Sequence, residues 1–217
     1  MRLRTVLFDL DGTLIDHFSA IHRCHVYAMR RLGLPEPTLA QVRAAVGGGL
    51  DEAIARLAGR ENVAAALPHF IAHWDATNLD DVALLPGAKE LLVQLQAAGV
   101  RCAVLTNKRG PAARAVCTHL GLDPLLAGVF GANDVAWLKP DPRFTAHVLA
   151  AIGGEATTTA LVGDSPYDLA TARNAGLAFY GVTTGTHTAD ELRAAGATEI
   201  FPDLAAVGRS LAGADQG

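Results

Sequence analysis

The stretch Thr5-Val6-Leu7-Phe8-Asp9-Leu10-Asp11-Gly12-Thr13 holds a strand and a pair of acids, and the fold follows from it. Thr5 to Phe8 form a short, mostly apolar run that reads as a buried strand ending at an acid. In extended chain, residues i and i+2 share a side. Asp9 and Asp11 therefore face one place, and Leu10 turns toward the interior. Two close carboxylates repel unless a cation or a shared proton relieves them, and a hard divalent ion with oxygen ligands is the natural solution. Gly12 lets the backbone approach a ligand closely. A solvated acidic turn also uses Asp and Gly, but a buried strand running straight into Asp-x-Asp-Gly-Thr points to a site.

No comparable strand follows between His17 and Asp81; the patterns there are helical. Phe18, Ile21, His22, Val26 and Met29 share one helical face, and Leu50, Ala53, Ile54 and Leu57 share another. Gly33, Pro35-Glu36-Pro37, Gly47-Gly48-Gly49 and Pro68 punctuate them. After Pro86, short runs rich in β-branched residues (Val100–Thr106, Val129–Phe130, Thr159–Val162, Leu177–Val182, Ile200–Phe201) alternate with helical patterns near 86–98, 110–120, 142–152, 166–175, 188–195 and 203–211. Such alternation predicts βαβ units and a parallel sheet. The expected architecture is α/β, a doubly wound, Rossmann-like, mostly parallel sheet, with a small helical domain inserted after the first strand. Residues 1–15 and 83–217 form the core in this reading, and 16–82 the insert.

Composition bounds the function. Of 217 residues half are apolar and 18% charged, enough for a proper core, and the net charge is -4. That balance argues against a dedicated nucleic-acid binder and against an anionic membrane as main partner. No apolar run reaches the roughly 18 residues of a spanning helix. The N-terminal Met1–Gly12 does not read as a signal peptide. Three scattered cysteines (Cys24, Cys102, Cys117) indicate neither a disulfide framework nor a zinc knuckle, and the expected compartment is the reducing cytoplasm. The eight histidines read as surface or helix-cap residues; His69 and His73 lack the glutamate of a zincin helix.

Three further segments sit at strand ends or loops, where open α/β sheets bind ligands. Thr106-Asn107-Lys108 offers a hydroxyl and an amide to phosphate oxygens, or is an ordinary polar loop. In Lys139-Pro140-Asp141-Pro142, Asp141 reads as a helix N-cap and Pro142 as the first helical residue, which holds Lys139 just before a helix. A solvated surface lysine is the other reading. In Gly163-Asp164-Ser165-Pro166-Tyr167-Asp168, Ser165 and Asp168 occupy capping-box positions. Asp164 has no such structural reason and suits a metal ligand.

Together, Asp9-Leu10-Asp11-Gly12-Thr13, Thr106-Asn107, Lys139-Pro140 and Gly163-Asp164 with Asp168 resemble, in order and spacing, the haloacid dehalogenase (HAD) superfamily, over essentially the whole chain. The helical insert resembles its C1 cap. Within it the chain is most similar to the phosphoglycolate phosphatase-like group. The resemblance implies an Mg2+-dependent phosphatase that hydrolyses a small phosphate monoester through an aspartyl-phosphate. Asp9 is then the nucleophile and Asp11 the general acid and base. Mg2+ is held by Asp9, the Asp11 main-chain carbonyl and Asp164. Thr106, Asn107 and Lys139 grip the phosphoryl oxygens, Asp168 orients metal waters or Lys139, and Thr13 supports the site from behind. On the cap side, His17, Phe18, Arg23 and Gly48 of the Gly47–Gly49 loop are the expected substrate contacts. The implied partner is a small phosphorylated metabolite, with neither nucleic acid nor membrane, and the chain a monomer or homodimer.

Three alternatives compete. A dehalogenase of the same fold needs neither a metal nor the second carboxylate, so Asp11 and Asp164 speak against it. A sugar phosphomutase of the β-phosphoglucomutase type tends to carry Val where this chain has Thr13. A receiver-like signalling module also clusters aspartates around Mg2+, but has no helical insert.

Overall fold

Successive residues of the first strand go to opposite faces of a sheet, and each face finds its own helices. The computed structural model describes residues 3–214. In β1 (Thr5–Phe8), Val6 and Phe8 pack with Leu91, Leu92, Val116 and Val207 on one side, and Leu7 packs with Phe144, Val148 and Ala172 on the other. The same alternation sends Cys102 and Val104 one way and Ala103 and Leu105 the other. Every residue of β1 is buried, as expected of a strand covered on both faces.

Between β1 and the rest of the sheet lie β2 (Ile15–Asp16), α1 (Phe18–Arg31), α2 (Leu39–Ala45), α3 (Leu50–Ala58), α4 (Val63–Thr77) and β3 (Ala83–Leu84). Then follow α5 (Ala88–Ala97), β4 (Arg101–Arg109), α6 (Gly110–His119), β5 (Val129–Ala132), α7 (Pro142–Ile152), β6 (Thr159–Gly163), α8 (Pro166–Ala175), β7 (Ala178–Val182), α9 (Ala189–Ala194), β8 (Ile200–Phe201) and α10 (Leu204–Ala214). The sheet order is β5-β4-β1-β6-β7-β8, and all its pairs are parallel. α5, α6 and α10 cover one face; α7 and α8 cover the other, and α9 packs beside α8. The sheet is thus doubly wound. The chain builds outward from β1 to β5, then returns past β1 to build the other half, so the switch point lies at the carboxyl end of β1.

Helices α1–α4 close around a separate apolar cluster that includes Ile21, Met29, Val42, Ile54, Phe70 and Trp74. The inward stripe of α1 is not the expected one. Cys24, His25 and Ala28 are buried beside Ile21 and Met29, while His22 and Val26 sit at the rim. Small Cys24 and Ala28 let α4 come close, and His22 instead meets the Pro37 carbonyl through Nε2 at 2.9 Å. The expectation that all histidines lie at surfaces or caps fails for His25, 1% exposed inside α1, whereas His17 stands at the N-cap position of α1, buried and without a side-chain cap bond. The hairpin of β2 with β3, where the helical block leaves and rejoins the sheet, has two residues a side, too few to leave a periodic signal.

Candidate active site

Three strand ends converge at the switch point. The Asp9 amide donates to the Val162 carbonyl at 3.0 Å, which fixes the end of β1 against β6. Asp164 follows β6 directly, and Thr106 to Lys108 lie near the carboxyl end of β4. Gly12 turns the chain away with φ +85; a Cβ there would meet Gly185 Cα at 2.8 Å and Asp164 Oδ2 at 2.9 Å. Only glycine tolerates both the conformation and the approach.

Asp9, Asp164 and Asp168 bring one carboxylate oxygen each within 4.8 Å of one another, all three residues buried. One ammonium serves two of them. Lys139 Nζ, 3% exposed as a residue, is 2.6 Å from Asp168 Oδ1 and 2.9 Å from Asp9 Oδ1. Asp168 is otherwise satisfied, since its Oδ2 accepts from Ser165 N at 3.1 Å and Ser165 Oγ at 2.6 Å in the capping box of α8. Asp9 Oδ1 has the ion pair but no aligned hydrogen bond. Burial pushes the Asp9 carboxyl up to about 6; Lys139 pulls it down and Asp168 pushes it further up. Burial, with the charges of Asp168 and Asp9, pushes Asp164 up to about 7. For Lys139 burial opposes the charge, yet Asp168 and Asp9 carry its pKa above the ordinary lysine value. Four buried ionisable groups with a surplus of negative charge are suited to a divalent cation.

Asp164 is gripped from both sides: Thr13 Oγ1 donates to Oδ1 at 3.0 Å, and Thr186 donates to Oδ2 through N at 2.8 Å and Oγ1 at 2.9 Å. Asp11 stands apart from that cluster. Lys108 Nζ donates to both its oxygens at 3.0 Å, and His17 Nδ1 lies 3.7 Å from Oδ1. Lys108 also sits 4.2 Å over the ring of Trp74 in α4, so one core side chain links the general-acid candidate to the helical block. Asn107 forms a second link. Its amide donates to the Gly47 carbonyl at 2.9 Å and the Lys139 carbonyl at 3.1 Å, and its Oδ1 accepts from Lys139 N at 2.8 Å. With both ends of the carboxamide taken, the side chain braces Lys139 at the cavity that it also lines. The expected N-cap of α7 is present, with Asp141 accepting from Arg143 N at 2.9 Å.

A cavity opens above Asp9 and Asp11, with Thr106 and Lys108 on its core side. The model of the haloacid dehalogenase-like hydrolases matches residues 6–182. The chain belongs to that family. Among curated relatives, a phosphoglycolate phosphatase of Rhodospirillum rubrum is 34% identical over 94% of this chain and 89% of its own length. The "Probable phosphatase IndB" of Dickeya dadantii is 37% identical over 88% and 85%. A crystal structure described as a "predicted phosphoglycolate phosphatase" from Haemophilus somnus superposes with a TM-score of 0.89 at 25% identity, over 97% of this chain and 98% of that one. This HAD-like hydrolase is a phosphoric monoester hydrolase. No helix among the described residues is long and apolar enough to cross a membrane.

The expected cap contacts of this HAD-like hydrolase are not where the cavity is. Arg23 turns outward to Asp81 and to the Thr77 carbonyl at 3.0 Å. Phe18 is buried under the Arg43 guanidinium, 4.2 Å from its ring. Gly48 faces Tyr167 of α8, with 2.7 Å between a hypothetical Cβ and the hydroxyl. His17 sits behind Asp11 with its Nε2 against the Asn78 carbonyl. The helices instead present Ile21, His25, Leu50, Phe70 and Trp74 to the cavity, joined by Gly47 and Gly49 on either side of Gly48. Lys108 and Thr186 were missed as site residues. Lys108 stands two residues beyond Thr106 in β4, and alternation would have aimed it at the site; Thr186 lies in the loop after β7, where no strand pattern points to it.

Proposed function

We propose that this hydrolase cleaves a small phosphate monoester, the class to which phosphoglycolate belongs, by transient phosphorylation of Asp9. The observation that carries this reading is the buried Asp9 carboxylate at the switch point, on the floor of a cavity and 2.9 Å from the Lys139 ammonium. Asp9 attacks phosphorus in line and the ester P–O bond breaks, while Asp11 gives its proton to the leaving alkoxide. Asp11 then takes a proton from water, which attacks the same phosphorus. The bond to Asp9 breaks and inorganic phosphate leaves. Lys139 and the Thr106 hydroxyl hold the phosphoryl oxygens through both steps, and Asn107 keeps Lys139 in place.

The acid cluster fits Mg2+. Asp168 is spoken for by Lys139 and Ser165, which leaves the Asp9 and Asp164 carboxylates to hold the ion, joined by the Asp11 main-chain carbonyl as the family resemblance implies; Thr13 and Thr186 would orient Asp164. Bound there, the ion offsets the charge between an anionic nucleophile and an anionic phosphate. Residues 16–82 act as a cap on the core of 1–15 and 83–217, hinged at the β2–β3 hairpin, that closes over the substrate and excludes water. Three free, buried cysteines accord with work in the cytoplasm, as a monomer or homodimer. Hydrolysis of 4-nitrophenyl phosphate should require Mg2+, stop with EDTA and vanish in Asp9→Asn; normal turnover in that variant would remove Asp9 from the nucleophile's role.

A further inference from the structure

The floor and the roof of the cavity have opposite chemistry. The floor is ionic. The roof, contributed by the helical block, is Ile21, Val46, Leu50, Ala53, Phe70 and Trp74, together with His25. Among the described residues the block supplies no charged side chain to it. Lys108, on the core side, is committed to Asp11 and to the face of Trp74. A leaving group that carries a carboxylate or many hydroxyls meets a surface here that cannot solvate it.

The aromatic side chains of the roof form a connected set. The His25 and Phe70 rings lie 4.7 Å apart at 56°, and Phe70 and Trp74 lie 5.9 Å apart at 8°. Two polar atoms in this set have no partner. Nδ1 of His25 and Nε1 of Trp74 are buried without a hydrogen bond, in residues only 1% and 4% exposed. Both residues line the cavity, and buried polar atoms are nearly always paired, so a ligand lodged against them can supply the missing partner. Burial lowers the His25 pKa to about 4, so its ring is neutral and offers a donor or an acceptor but no charge.

We propose that the ester this enzyme hydrolyses carries a flat, uncharged ring on its leaving alcohol, with a polar ring atom that pairs with the Trp74 N–H or the His25 ring, lodged against Phe70 and Trp74. This rests on the phosphatase reading above and adds the leaving-group class. The ring packs by offset stacking or edge contacts. The competing reading is a carboxylate met by Arg109, which lines the core side of the cavity.

The test uses esters of primary alcohols at fixed Mg2+, so that the leaving groups differ mainly in shape and charge: benzyl phosphate and pyridin-3-ylmethyl phosphate against phosphoglycolate and glycerol 3-phosphate. The ring esters should exceed the other two in kcat/KM by at least tenfold, mostly through KM, with the pyridyl ester ahead of the benzyl ester. Trp74→Ala should raise KM for the ring esters more than for phosphoglycolate. In Trp137→Phe, whose remaining indole is Trp74, benzylphosphonate should quench fluorescence at concentrations where methylphosphonate does not. Equal or better turnover of phosphoglycolate overturns this proposal and leaves the phosphatase reading intact, with Arg109 as the specificity residue. No Mg2+-dependent hydrolysis of any ester overturns both.

Discussion

Replacing Lys139 by methionine tests the charge balance of the site. The side chain keeps its length and loses one buried ammonium that stands 2.6 Å from Asp168 and 2.9 Å from Asp9. Breaking one buried pair by removing a partner costs roughly 3–5 kcal/mol, because the remaining charge is left uncompensated. Here two carboxylates are stranded, with Asp164 already close by, so the loss belongs at the upper end, about 5 kcal/mol. At roughly 2–4 °C per kcal/mol for a chain of this size, Tm should fall by about 10–20 °C. Urea unfolding in EDTA gives the same quantity without metal. The double variant Lys139→Met/Asp168→Asn removes one stranded charge and should be more stable than Lys139→Met alone by about 1–3 kcal/mol, a coupling that a double-mutant cycle isolates. If Lys139→Met unfolds within about 1 kcal/mol of the parent, or if Asp168→Asn only adds to its damage, the carboxylates do not depend on this lysine and the electrostatic account of the site is wrong.

Two further predictions concern the neighbouring groups. Lys108→Met frees Asp11 from both of its 3.0 Å bonds. A misplaced general acid should lower kcat by roughly tenfold to a hundredfold with little change in KM, and steady-state kinetics showing kcat within twofold of the parent would refute the positioning role. His25 is held neutral down to about pH 4, against 6.5 ordinarily, by burial and by the nearby His22. The unfolded chain therefore binds a proton between about pH 6.5 and 4 that the folded chain does not. Stability is flat with pH above that window and falls as pH is lowered through it, by on the order of 3 kcal/mol from this residue. His17 adds a slope of the same sign. His25→Leu should make the fall of unfolding free energy with acid clearly shallower; an unchanged slope would mean that His25 takes its proton in the folded state.

The residues that lie on single strands were legible in sequence, and those set by packing between elements were not. Asp9 and Asp164 each follow an unbroken buried run, so one strand and one acid suffice to place them. The capping box of Ser165 and Asp168 is local and appears as read. Lys139 was placed before its helix by Asp141 and Pro142, but that its ammonium joins two aspartates from β1 and α8 is a tertiary fact. Lys108 was quoted and passed over, because its partners Asp11 and Trp74 come from 97 and 34 residues away in the chain and no short motif joins them. The roof of the cavity was misjudged for a related reason. The side of α1 that faces inward depends on how closely α4 can pack against Cys24 and Ala28, and a rotation of about 60° exchanges His22 for His25.

The central claim is a covalent bond between phosphorus and the Asp9 carboxylate. Acid quenching of the enzyme during turnover of its ester with Mg2+, followed by peptide mass mapping, reads it directly. The account predicts a phosphoryl group on the peptide that spans Asp9, absent in Asp9→Asn and lost on neutralisation as the acyl phosphate hydrolyses. A phosphoryl group on another residue, or turnover that proceeds with Asp9 never modified, would contradict it.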